Sequence, residues 1–121
     1  MTGAGLLVLT VAGRREEVIA RRAGDWLLTH PFDRYGEHVG GHDRFHYGAY
    51  YCSQAMYLLG GDYWAQFYPV LASTLVRGQL ADGGWPPERR YNDARLGRSY
   101  STALAVLALT PPYQMLPIYQ R

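Results

Sequence analysis

At 121 residues the chain has the length of one domain with one core. It is 48% apolar and carries eleven Tyr, enough buriable surface to offset chain entropy, which excludes a disordered polypeptide. The formal charge is only +2, carried by scattered Arg with no Lys, so the clustered basic face that nucleic acid requires is absent from the sequence.

One cysteine, Cys52, allows no intrachain disulfide and no Cys-rich zinc motif. The longest apolar stretch, residues 4–12, is too short to span a bilayer, and no basic segment precedes it as a signal peptide would require. The compartment is therefore unassigned, and cytoplasmic if the chain is complete. A chain that starts abruptly inside an apolar helix reads as the C-terminal part of a longer protein.

In chain order, residues 2–12 form an apolar helix stopped at Gly13, and residues 15–29 form a helix with a charged face that includes Arg15, Glu16, Arg21, Arg22 and Asp25. A shift of 48 residues carries Gly13 onto Gly61, Ile19 onto Phe67, Ala23 onto Leu71 and Leu27 onto Leu75. The last three pairs share a stripe at spacing four, the pattern of a buried helix face. The second copy thus predicts helices over residues 46–59 and 62–78, separated by Gly60-Gly61. A third copy opens at Tyr100, where residues 100–109 match residues 50–59 before Pro111-Pro112 end the helix. The tail that follows reads as an extended arm standing in for the missing partner helix.

The first helix of each pair is apolar nearly all round and should be buried on both sides. The second is amphipathic. That alternation predicts an all-α fold with inner helices wrapped by outer ones, a single partial domain over 1–121 divided as 1–37, 44–85 and a half repeat with tail at 97–121.

Between the second and third copies lies Gln79-Leu80-Ala81-Asp82-Gly83-Gly84-Trp85-Pro86. Asp-Gly-Gly is a turn signal, Trp85 a large apolar plug behind it, and Gln79 an amide near enough to tie the turn to a helix end. A Gln, a short spacer, Asp-Gly-Gly-Trp and a helix opening Tyr-Ser-Thr-Ala resemble the QW-type repeat of squalene cyclases and the equivalent repeat of protein prenyltransferase β-subunits. Residues 47–56 resemble another inner helix of that terpenoid cyclase/protein prenyltransferase superfamily. The likeness covers nearly the whole chain, most firmly residues 45–108.

The resemblance implies a partial α/α toroid of antiparallel helical hairpins, a structural clamp of Gln79, Asp82, Gly83, Gly84 and Trp85, and a cavity for an isoprenoid chain. Tyr47, Tyr50, Tyr51, Tyr57 and Tyr100 are then the candidate cavity lining, able to stabilise a carbocation through their ring faces. Two and a half repeats leave apolar edges, so the implied partners are further toroid repeats or a second copy, besides the apolar ligand.

Neither the D-x-D-D acid motif nor the D-D-x-x-D pattern of that superfamily occurs in the chain. The positions matching the prenyltransferase zinc site hold Gly48, Gly97, Arg98 and Ser99, none a competent ligand set, so no metal and no cofactor is expected. His38, His42 and His46 stand four apart, but Gly40-Gly41 between them makes the segment a loop feeding the next helix, with metal binding the lesser reading. Two other functions stay open: a non-catalytic scaffold that binds protein, and an α/α-barrel enzyme acting on glycans.

Overall fold

The computed structural model describes residues 1–37, 45–88 and 93–119. Among them the fold is all-α: α1 (Thr2–Val11), α2 (Val18–Thr29), α3 (Phe45–Leu59), α4 (Gly61–Gly78) and α5 (Asp93–Leu109), followed by two short 3-10 turns at Pro111–Tyr113 and Pro117–Tyr119. No described helix is long and apolar enough to cross a membrane.

Each helix ends for a local reason. His30 leaves helical geometry at φ −128° because Pro31 follows it and disfavours the α region in the residue before. Gly60 and Gly61 reverse the chain between α3 and α4 with φ of 75° and 52°, a pair of left-handed residues that side chains with a Cβ resist. A break at Gly97 interrupts α5, which runs unbroken from there to Leu109. Pro69 sits inside α4 on the exposed side, where water can serve the carbonyl that lost its partner.

The packing follows from which side of each helix is apolar. Helix α3 is central and touches α1, α5, α4 and α2. Its buried side chains include Phe45, Ala49, Cys52, Ala55 and Met56, joined in one core by Leu6, Leu27, Phe32, Phe67, Leu71, Leu75, Trp85, Ala105 and Ala108.

Directions can be read from contacts at two heights. Tyr63, near the start of α4, donates to Asp25 Oδ1 in α2 at 2.9 Å, and Tyr35, beyond the end of α2, covers the last residue of α4, so α2 and α4 are parallel. Tyr51 of α3 lies near Tyr100 of α5, and Gln54 further along α3 meets Leu107 further along α5, so α3 and α5 are parallel as well.

The C-terminus of α5 shows how the fold satisfies its backbone. Its last carbonyls have no intrahelical donors, and Pro111 and Pro112 carry no N–H to replace them. Neighbouring helices supply the donors: Gln54 Nε2 to Leu107 O at 2.8 Å, Ser53 Oγ to Ala108 O at 2.6 Å, and Tyr68 Oη to Leu109 O at 2.9 Å.

Several expectations change. Helix α2 starts at Val18, not near residue 15, because Gly13 and the following turn take up the intervening chain. The stripe Ile19, Ala23, Leu27 is not uniformly buried: Leu27 is, while Ile19 is exposed. Helix α1 is not covered on both sides either, for Val8 is open to solvent. The tail is not extended. It folds as two 3-10 turns against α3 and α5, driven by the fixed φ of its prolines, and leaves the outward side of α5 (Ser99, Ala103, Val106) exposed.

Candidate functional site: a tyrosine face and the clamps that hold it

Tyr47, Tyr50, Tyr51 and Tyr57 lie on the side of α3 opposite Ala49 and Met56. Their rings touch in sequence. Tyr47 and Tyr51 stand 4.6 Å apart between centroids, and Tyr50 meets Tyr51 edge to face at 4.8 Å. Tyr57 takes Tyr119 of the tail at 5.2 Å on one side and Trp64 of α4 at 5.1 Å on the other. Trp64 in turn stacks on Tyr68 at 4.3 Å.

Hydroxyl ionisation reports the same proximity. The Tyr51 hydroxyl is held above the usual tyrosine range by its hydrogen bond with Tyr47, by burial, and by the nearness of Tyr50 and Tyr100. Burial, together with Tyr50 and Tyr57, raises Tyr119. The five sequence-predicted tyrosines therefore share one half-buried surface, with Tyr100 contributed by α5. The tail adds Tyr119 and α4 adds Trp64 and Tyr68, residues the sequence reading missed; the aromatic spacing Trp64/Tyr68 on α4 was the available signal.

Two polar atoms within this region are buried without a hydrogen-bond partner among the described residues: Gln54 Oε1 and the Tyr119 hydroxyl. Gln54 spends its NH₂ on capping α5, which leaves its carbonyl oxygen over. A surface of ring faces and edges with an acceptor beneath it suits an apolar or cationic guest.

The segment after α4 anchors α5 beside that face. Gln79 Nε2 donates to Gly83 O at 2.8 Å, and the Gly84 N–H donates to Asp82 Oδ1 at 3.1 Å. Arg98 pairs with the other Asp82 oxygen, and this bond, with the Gly84 N–H, holds the exposed carboxyl below its ordinary range. Trp85 is buried and fully engaged. Its indole Nε1 donates to Leu75 O at 2.7 Å, its N–H to Thr102 Oγ1 at 3.0 Å, and its carbonyl accepts from Ser101 Oγ at 2.7 Å. One residue thus joins the end of α4 to the first turn of α5 after its break at Gly97.

A second clamp was not foreseen. His46, fully buried in the first turn of α3, has Nδ1 3.1 Å from Glu88 Oε1, and its own backbone N–H donates to the same oxygen at 2.8 Å. Tyr35 Oη lies 2.8 Å from His46 Nε2 and donates to Pro86 O at 2.8 Å. Burial alone would raise the Glu88 carboxyl, but the bonds from the His46 ring, its N–H and the Phe45 N–H outweigh it and hold the group below the ordinary range. The Tyr35 hydroxyl is pushed well up by burial and by Glu88.

His46 lies in the helix expected over 46–59, but its side chain is buried in a three-way polar knot and not solvated; His38 and His42 lie outside the described residues. Cys52 is buried in α3 against Gly3. Among the described residues no three His, Cys, Asp or Glu side chains group as metal ligands. Gly48 lies against Phe32, and Gly97 is the break in α5.

No protein-family model matches the chain, and neither does any curated protein or solved structure.

Proposed function

We propose that the chain is an arc of an α/α toroid of the terpenoid cyclase/protein prenyltransferase kind, whose tyrosine face binds an apolar isoprenoid chain. Parallel α3 and α5, parallel α2 and α4, and a Gln-Asp-Gly-Gly-Trp turn that ties α4 to α5 all support that reading. The observation that carries it is the convergence of Tyr47, Tyr50, Tyr51, Tyr57 and Tyr100 on one half-buried surface. Such rings bind hydrocarbon through area and polarisable faces, without needing a charge partner. The reading assigns this chain a binding role. A proton donor for cyclisation is not among its assigned residues.

Quenching of intrinsic fluorescence by farnesol, below its micelle concentration, tests it. Saturable binding is expected, weakened about tenfold or more in a Tyr51→Ala, Tyr100→Ala double variant, since each buried ring contributes on the order of 1–2 kcal/mol. Absence of saturable binding, or equal binding by the variant, would overturn the reading. Selective binding of a soluble oligosaccharide instead would favour a glycan-active α/α barrel.

A further inference from the structure

We infer that a second copy of the chain docks head to tail on the first, with the outward side of α5 from one copy laid along the outward side of α1 in the next. The inference extends the helical row on which the proposed function rests. It does not depend on the ligand, so failure of the farnesol experiment leaves it standing, and its own failure leaves farnesol binding untouched.

The internal repeat supplies the comparison. In the second hairpin, Phe67 of α4 is 4% exposed and Met56 of α3 is 0% exposed, because the first hairpin and its following loop lie against them. The same positions in the first hairpin are Ile19 and Val8 under the 48-residue shift. They are 61% and 69% exposed. Trp26 repeats the pattern: it is 40% exposed where its counterpart Thr74 is 1% exposed. The first hairpin thus presents an apolar edge of the kind that the second hairpin has covered.

What fits that edge is a helix of the α1, α3, α5 type. Within the chain, α1 and α5 both pack on α3, one at each side, so the row has two ends. At one end, α1 turns outward Met1, Gly5, Val8 and Ala12, the side opposite its buried Gly3, Leu6 and Thr10. At the other, α5 turns outward Ser99, Ala103 and Val106, opposite buried Ser101, Ala105 and Ala108. Neither stripe carries a charged side chain, and each combines small residues with one valine, with Met1 added on α1. The row already uses a small residue for close approach: a Cβ on Gly3 would stand 2.5 Å from Cys52 Sγ, whereas Gly5 has nothing within 4 Å. Placing α5 of one copy on α1 of another continues the row with the same kind of contact. A two-fold contact would instead set α1 on α1, and nothing in the row has that arrangement. Head-to-tail contacts use two different surfaces, which gives them a distinctive mutational signature.

Sedimentation velocity over a wide concentration range is the test. The wild-type chain is expected to associate reversibly. Val8→Glu and Val106→Glu change opposite ends of the row, both at exposed positions, so each should keep its melting profile and sediment as a monomer. An equimolar mixture of the two should regain a dimer, because each variant retains the surface that the other lacks. Ala12→Glu serves as a second α1 variant should Val8→Glu alter the melt. A wild-type monomer at every concentration would overturn the inference. So would association abolished by Val8→Glu but untouched by Val106→Glu, the signature of a two-fold α1 contact, and so would a mixture that stays monomeric.

Discussion

The indole Nε1 of Trp85 donates to the carbonyl of Leu75 at 2.7 Å, so a residue outside α4 satisfies one of the last carbonyls of that helix. The bond comes with near-complete burial of the ring. Trp85→Ala should therefore cost about 3–5 kcal/mol, the range for deleting a large core aromatic. Trp85→Phe should recover much of the packing and not the bond, leaving a deficit of about 1–3 kcal/mol for the orphaned carbonyl. Urea denaturation of both variants measures the two parts separately.

Gln54 and Ser53 cap α5 from α3, and proline prevents the chain from doing it locally. Ser53→Ala should destabilise by about 1–3 kcal/mol, because Ala108 O is left buried without a donor. Gln54→Leu removes a donor as well, but it also removes the unpartnered Oε1, so its cost should be the smaller of the two. If chemical denaturation ranks Gln54→Leu as the more damaging, the capping account of α5 is wrong.

The Glu88 carboxyl sits below its ordinary range in the folded chain, so the sign of its pH dependence is set. Its contribution is complete above the unfolded value, about 4.3, and is lost as pH falls through the lower folded value. Glu88→Gln should cost about 1–3 kcal/mol at neutral pH. The gap between wild type and variant should narrow steadily as pH falls below about 5. Thermal melts across that window decide it; a gap independent of pH would mean the carboxylate charge is not what holds His46.

At Gly78 an added Cβ would lie 2.2 Å from Tyr35 Cδ2, because the phenol ring rests on bare backbone at the end of α4. Gly78→Ala should therefore destabilise by about 1–3 kcal/mol, the range for overpacking, although alanine is the better helix former. The same change in a Tyr35→Ala background should be neutral or stabilising. A double-mutant cycle by denaturant titration reads the coupling directly.

The amino-acid pattern makes the helices and their order legible, because apolar periodicity and Gly or Pro punctuation are local properties of the chain. Gly13, Gly60-Gly61 and Pro111 each stop a helix where their backbone preferences demand it. The tyrosine pattern at 47, 50, 51 and 57 is legible for the same reason, since helical spacing alone puts those residues on one side of α3. Tertiary structure alone decided the rest. That Glu88 meets His46, that Ser53 and Tyr68 cap α5, and that Tyr119 returns to Tyr57 are pairings between residues far apart in the chain. No spacing rule encodes them; each exists because a buried polar group or an open ring face takes the partner that packing brings within reach. Exposure divided in the same way. Ile19 and Phe67 hold equivalent positions in a repeated pattern, yet one is open and the other covered, because burial depends on what lies against a helix as well as on the helix itself.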